Sequence, residues 1–93
     1  MTPESDADLV AKTLEGEESA FSELVRRYQQ PVFAVAVSFI GNFDTAEDIA
    51  QETFLRAFLQ LRTLDEPARF GNWLRIIAAN QSRSYLRSSP IFS

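Results

Sequence analysis

The chain has 93 residues, 45% of them hydrophobic and 24% charged, which suits one globular domain with one core. It has no cysteine and no histidine, so disulfides, thiolate metal sites and the commonest general base are excluded. We therefore expect no enzymatic activity, no metal and no cofactor. The N-terminus is acidic rather than signal-like, and the longest apolar run, ten residues, is too short to cross a bilayer. We expect a cytoplasmic protein without membrane association.

Charge is unevenly distributed along the chain. Residues 1–55 contain eleven acidic and three basic residues, a net charge of −8, whereas residues 56–93 contain six arginines and two acids, a net charge of +4. An acidic half suits a basic protein partner, and an arginine-bearing half suits phosphate groups. Small proteins also show such asymmetry by chance, so the charge pattern alone leaves function open.

Two helices are predicted in the first half of the chain. The first covers about residues 5–14, with Ser5 or Asp6 as its N-cap. The second begins at residues 17–19 and contains Pro31, which should kink or split it. The core-facing positions, which in the second helix recur at spacings of three and four, are Leu9, Val10, Phe21, Leu24, Val25, Tyr28, Val32, Val35, Ala36 and Phe39.

Two further helices are predicted in the second half. Asp44 and Glu47 form an acidic variant of a capping box, so the third helix should start at residue 45 or 46 and end near Arg62. The stretch TLDEPAR is predicted to be a loop, and the fourth helix should cover residues 70–87 and stop at SSP. Its buried positions are predicted to be Phe70, Trp73, Leu74, Ile77, Ala78 and Tyr85. The predicted fold is all-α, a compact bundle of three long helices plus a short N-terminal one.

The third helix has more apolar surface than one buried face requires. Its buried side is predicted to contain Ala50, Phe54, Ala57, Phe58 and Leu61. Leu55 and Leu59 then lie outside, on a ridge with Asp48, Gln51 and Glu52. This ridge suits a basic amphipathic helix from another protein, but the two leucines could equally pack beneath the first or second helix.

The fourth helix has a polar face opposite its aromatic side. Within about a quarter-turn of one another lie Asn72, Ile76, Asn80, Arg83 and Arg87. Arginine and amide groups contact phosphates and base edges, and the nearby Phe70 and Trp73 could stack on unpaired bases. A solvated face above an ordinary aromatic core would give the same pattern, and for Trp73 we favour a core position.

Three stretches together resemble domain two, also called region 2, of bacterial extracytoplasmic-function sigma factors. They are LVAKTLEGEESAFSELVRRY, AEDIAQETFLRAF and FGNWLRIIAANQSRSYLR, and they occur in the order the family has them, over about residues 9–87. The last two stretches are specific in combination, whereas the first is a generic amphipathic helix. The resemblance implies a domain that binds RNA polymerase and melts promoter DNA. A helical protein-interaction module without a nucleic-acid role is the alternative.

The resemblance implies a role for the ridge of the third helix. In sigma factors this helix docks on the clamp coiled coil of the largest subunit of core RNA polymerase. Carried over residue by residue, the contacts would be Asp48, Gln51 and Glu52, with Leu55 adjoining them. Anti-sigma proteins commonly cover the same surfaces, so an anti-sigma factor is a further expected partner.

The resemblance also implies contacts with the non-template strand of the −10 promoter element. The loop TLDEPAR would shape a pocket for an unpaired base, with Thr63, Leu64 and Arg69 as its contacts. On the fourth helix, Asn80 matches the family's asparagine, and Arg83 and Arg87 would contact phosphates. Two departures concern this site: Ser84 stands where the family often has an acid, and Asp65 and Glu66 are poor neighbours for phosphate.

The domain organisation is expected to be simple. We expect one domain over residues 1–93, with residues 1–4 and 88–93 as flexible ends. Sigma factors of this group add a helix-turn-helix domain for the −35 element, and we expect none after Arg87. Either an excised domain or a naturally short relative would fit this length.

Overall fold

Four helices in a bundle make up the computed structural model, which describes residues 3–88. The helices are α1 (Asp6–Leu14), α2 (Glu18–Ile40), α3 (Phe43–Gln60) and α4 (Phe70–Ser88), and two 3₁₀ turns, Leu61–Thr63 and Pro67–Arg69, connect α3 to α4. No strand occurs in this part of the chain, and the predicted all-α bundle is confirmed. Of the predicted flexible ends, residues 1–2 and 89–93 lie outside the described residues, as does most of the predicted SSP stop.

The first helix starts with a reciprocal cap. The hydroxyl of Ser5 accepts a hydrogen bond from the Asp8 N–H at 3.1 Å, and the Asp8 carboxylate accepts one from the Ser5 N–H at 3.3 Å. Two backbone donors that the helix cannot pair internally are thereby satisfied. Leu9 and Val10 are buried as predicted and fix α1 on the bundle.

The proline in α2 does not split the helix, which is continuous from Glu18 to Ile40. Pro31 lacks the N–H that would bond to the Arg27 carbonyl, a cost of roughly 3 kcal/mol. Leu24 before it and Val32 after it are fully buried in the same core, and each contributes roughly 1.5–3 kcal/mol. Burial on both sides of the proline offsets the lost bond. Of the two predicted effects, a kink or a split, the split is wrong.

The turn between α2 and α3 differs from the prediction by two residues. Gly41 ends α2 in the left-handed region, at φ +75°, and its N–H donates to the Val37 carbonyl at 2.9 Å. Asn42 then caps α3, because its side-chain oxygen accepts from the Thr45 N–H at 2.9 Å. The predicted cap at Asp44 is wrong, and Asp44 instead lies in the first turn, where the helix dipole favours an acid.

The main core lies where all four helices meet. Its fully buried larger apolar side chains come from α1, α2, α4 and the first 3₁₀ turn, namely Val10, Leu24, Val32, Leu61, Phe70 and Leu74. Two fully buried hydroxyl groups were not predicted: Thr53 donates to the Ile49 carbonyl at 2.8 Å, and Ser82 to the Ala78 carbonyl at 2.9 Å. These local bonds satisfy both hydroxyls, so both residues can occupy core positions that apolar periodicity does not reveal.

Two aromatic residues predicted to be buried are exposed instead. Phe58 is 46% exposed, and its ring makes an edge contact with Phe21, with centroids 5.1 Å apart, while the small Ala57 fills the interface. Tyr85 is 41% exposed, because the buried stripe of α4 ends at Ser82. Trp73 and Ile77 are half-buried and pack against the core.

Candidate functional site

The ridge of α3 is open to solvent. Asp48, Gln51 and Leu55 are exposed and Glu52 is partly exposed. The two leucines are 52% and 70% exposed at positions 55 and 59, so the alternative in which they pack beneath α1 or α2 is wrong. The buried face of α3 is supplied by other residues, and the apolar surplus predicted for this helix remains on the surface.

The ridge has a distinct charge pattern. The Glu52 carboxylate accepts from the Arg56 Nε at 3.2 Å, one helical turn away. Within residues 3–88, Asp48 has no ion-pair partner. A cation brought by a partner would therefore meet Asp48 directly but would compete with Arg56 for Glu52.

A groove lies on each side of the ridge. The groove toward α2, about 430 Å³, is mostly apolar and is lined by Val25, Gln29, Gln30, Phe33, Glu47, Ala50, Gln51 and Phe54. The groove toward α4, about 400 Å³, is lined by Thr45, Asp48, Ile49, Glu52, Gln81, Ser84, Tyr85 and Ser88. Gln51 thus lines the first groove, and Asp48 and Glu52 line the second, so a helix docked in either groove would contact α3 along with a neighbouring helix.

A separate pocket of about 350 Å³ lies between the loop and the start of α4. Its lining residues are Thr63, Leu64, Asp65, Glu66, Arg69, Asn72, Trp73 and Ile76. The three loop residues predicted as contacts, Thr63, Leu64 and Arg69, are brought together here. Trp73 both packs against the core and lines the pocket, so its two predicted positions are compatible.

The α4 residues of the pocket were assigned from the sequence to the nucleic-acid-binding side of the helix but not to the pocket itself, although the sequence contained a signal for the pocket. Asn72, Trp73 and Ile76 follow Arg69 at three, four and seven residues, which places them on one side of a helix that continues from the loop. The two carboxylates of Asp65 and Glu66 also lie in the wall. Phosphate is disfavoured beside them, so the pocket suits a base rather than the backbone of a nucleic acid.

Asn80, Arg83 and Arg87 lie further along α4 and do not line the pocket. All three are exposed, and the Arg83 Nη1 donates to the Asn80 Oδ1 at 3.0 Å. The Arg83 guanidinium also lies over the ring of Phe39 on α2, with its central carbon 5.3 Å from the ring centroid. The predicted α4 contacts therefore form a second patch, on the same exposed face as Asn72 and Ile76.

The arginines of α2 are already engaged within the bundle. Arg26 and Arg27 both donate to Glu23, and these hydrogen bonds lower the pKa of its carboxyl to about 2. Arg27 also donates to Asp6 at 3.1 Å, and Asp6 accepts a hydrogen bond from the hydroxyl of Tyr28. Burial and then this bond raise the pKa of Tyr28. This network joins α1 to α2.

Two kinds of feature are absent from the described part of the chain. No three histidine, cysteine, aspartate or glutamate side chains lie close enough together to hold a metal ion. No helix within residues 3–88 combines the length and apolar character needed to cross a bilayer.

Comparison with known proteins gives the family. Residues 24–89 match sigma-70 region 2. The chain belongs to the sigma-70 region 2 family. An NMR structure of an engineered region 2 of sigmaE in complex with GTAAAA aligns with this region 2 chain at a TM-score of 0.86 and 32% identity, over 95% of this chain and 93% of that one.

Two sigma-factor relatives are longer than this chain. The region 2 chain is 34% identical over 86 residues to the RNA polymerase sigma-H factor of Pseudomonas aeruginosa, covering 92% of this chain and 45% of that protein. It is 32% identical over 78 residues to the extracytoplasmic-function sigma factor SigW of Bacillus subtilis, covering 84% and 42%. The chain thus spans less than half the length of these relatives.

Proposed function

We propose that the chain is the promoter-recognition domain of a sigma factor, which binds core RNA polymerase and recognises and melts the −10 promoter element. It acts in the cytoplasm, as a single non-enzymatic domain. The observation that carries the proposal is the match in fold to a region 2 in complex with GTAAAA. An exposed pocket and an arginine-bearing helix face in this chain supply surfaces for such a ligand.

The ridge of α3 is the proposed polymerase-binding surface. Asp48, Gln51, Glu52 and Leu55 would contact the clamp coiled coil of the largest subunit. Their exposure supports this assignment, as does the apolar groove alongside Gln51, which suits a helix that carries basic residues at its rim. An anti-sigma factor would compete with polymerase for this ridge.

The pocket and the α4 face are the proposed binding surfaces for the non-template strand. An unpaired base would enter between Thr63, Leu64 and Arg69 and stack on Trp73. Asn80, Arg83 and Arg87 would contact the neighbouring backbone and base edges. Base capture is easiest where the strand is already unpaired, since extruding a base costs a few kcal/mol.

The charge of the domain makes polymerase necessary for recognition. At a net charge of −4, the isolated chain should bind DNA weakly and with strong salt dependence. Polymerase bound to the acidic ridge would hold DNA close to α4. In this proposal the acidic and basic halves of the sequence serve two different partners.

A pull-down of core RNA polymerase tests the proposal. Asp48→Arg should greatly reduce polymerase capture, because the substitution reverses the charge of the one acid of the ridge that has no ion-pair partner within residues 3–88. Glu15→Arg is the matched control, since it makes the same charge change at an exposed residue outside the ridge. Equal capture by both variants would contradict the proposed surface. If the wild-type chain captures no polymerase at all, the protein-interaction module without a nucleic-acid role becomes the better reading.

A further inference from the structure

We propose that Phe39 is a positioning residue for nucleic-acid binding. Its ring holds the guanidinium of Arg83, and Arg83 in turn orients the amide of Asn80 toward the ligand. The inference rests on the proposed function, because it concerns how side chains on the α4 face are ordered before single-stranded DNA binds. Phe39 lies on α2, where the apolar pattern predicted a core-facing position, but it is only half-buried and was not predicted to take part in binding.

The Phe39 ring restricts a side chain that would otherwise be free to move. Arg83 is exposed, and an exposed arginine loses more conformational freedom on binding than most side chains do. A guanidinium 5.3 Å from the ring centroid is within the distance at which the ring face attracts a cation. This contact restricts the guanidinium before any ligand binds, so part of the ordering precedes binding.

The orientation of Asn80 follows from the chemistry of arginine. A guanidinium has five N–H donors and no acceptor, so the amide atom that faces it at 3.0 Å must be the oxygen. The amide NH₂ of Asn80 then points away from Arg83. Asn80 therefore offers a donor to the ligand and should contact acceptors, such as phosphate oxygens or the acceptor atoms of a base edge.

The other arginines of α4 differ from Arg83. Arg87 has no aromatic ring within cation–π distance among residues 3–88. Arg75 lies 5.7 Å from the centroid of Tyr28, whose hydroxyl is bonded to Asp6 in the network that joins α1 to α2. Only Arg83 combines an aromatic platform with a bond to a predicted contact residue, and Arg87 is a natural reference for an arginine without a platform.

A double-mutant cycle tests the proposal directly. The probe is a fluorescent single-stranded DNA oligonucleotide that contains GTAAAA, titrated at low salt. Phe39→Leu should weaken binding by roughly 2- to 5-fold, the range expected for loss of an exposed cation–π contact. The same substitution should have no effect when Arg83 is already alanine, but should keep its full effect when Arg87 is alanine. An equal loss in all three backgrounds, or no loss in the wild type, would overturn the proposal.

Further variants separate a positioning role of Phe39 from a general loss of folding or stability. Phe39→Tyr keeps the ring and should restore affinity, and Phe43→Leu, which removes an exposed ring with no arginine over it, should leave affinity unchanged. Without DNA, the Arg83 side-chain proton shifts should lose their ring-current contribution in Phe39→Leu, and unchanged shifts would overturn the proposal independently. If the wild type binds the oligonucleotide neither alone nor with core polymerase, while these shifts behave as expected, the proposed DNA-binding function fails rather than the Phe39–Arg83 contact.

Discussion

A β-carbon added at Gly71 would lie 2.7 Å from the phenolic oxygen of Tyr28 and 3.0 Å from two of its ring carbons. The start of α4 therefore touches α2 at a point where only glycine fits. Tyr28 has little room to retreat, because its hydroxyl donates to Asp6 and its ring contacts Phe70, with centroids 5.6 Å apart. This contact sets how closely the start of α4 approaches α2.

Gly71→Ala should destabilise the domain, contrary to the usual effect in helices. Glycine to alanine in a helix normally gains up to about 1 kcal/mol. Overpacking in a fixed core typically costs about 1–3 kcal/mol, so we expect a net loss in the free energy of unfolding, measured by urea denaturation. In a Tyr28→Leu background, which lacks the obstructing ring, the same alanine should be neutral or stabilising. A gain in the wild-type background would contradict the contact.

Glu23 should make stability depend on pH in the acid range. Its pKa in the folded domain is lowered from 4.5 to about 2, chiefly by the hydrogen bonds from Arg26 and then Arg27. A lowered folded-state pKa contributes stability that is complete above about pH 4.5 and is lost as the pH falls toward 2. Thermal unfolding of Glu23→Gln should therefore show a lower Tm at pH 7 and a smaller fall in Tm between pH 4.5 and 2.

The control for this prediction is Glu15→Gln, which removes an exposed acid outside the network. It should keep the acid dependence of the wild type. If the curves of Glu23→Gln and the wild type run parallel from pH 7 to 2, Glu23 does not provide this stability.

The cap of α3 gives a test of which residue starts the helix. Asn42→Ala removes the bond to the Thr45 N–H and should cost about 1 kcal/mol. Asp44→Ala loses only its interaction with the helix dipole and should cost less, about 0.3–1 kcal/mol. Urea denaturation measures which variant loses more free energy of unfolding. A larger loss for Asp44→Ala would show that Asp44 caps the helix, as expected from the sequence.

The pattern of apolar residues was enough to predict the helices, because buried residues recur at spacings of three to four positions in the long helices. It did not identify the cap, since Asn42 and Asp44 are both good N-cap residues two positions apart. It also misplaced Phe58, because a pattern gives the direction of a side chain but not the depth of the neighbouring helix. The same limit applies to the site: the ridge and the α4 face follow from one helix each, whereas the Phe39–Arg83 contact depends on how α2 and α4 cross.

Two leucines six residues apart, one in α3 and one in the turn that follows it, should separate binding from stability. Leu61 is 2% exposed, so Leu61→Ala should cost about 2–5 kcal/mol of unfolding free energy. Leu55 is 52% exposed, so Leu55→Ala should change stability by less than about 0.5 kcal/mol. Yet Leu55→Ala should weaken capture of core polymerase. Full capture by a stable Leu55→Ala variant would remove Leu55 from the proposed surface.

Trp73 should matter more for binding than its half-buried position suggests. Its ring lines the pocket and packs beside Phe70, with centroids 5.9 Å apart. Stacking of a base on an aromatic ring contributes about 1–3 kcal/mol, so Trp73→Leu should weaken single-strand binding by about that amount, and Trp73→Phe should recover much of it. Tyr85→Leu is the control, since it removes an exposed aromatic of α4 outside the pocket. If Trp73→Leu and Tyr85→Leu bind the oligonucleotide equally well at low salt, the pocket does not hold a base.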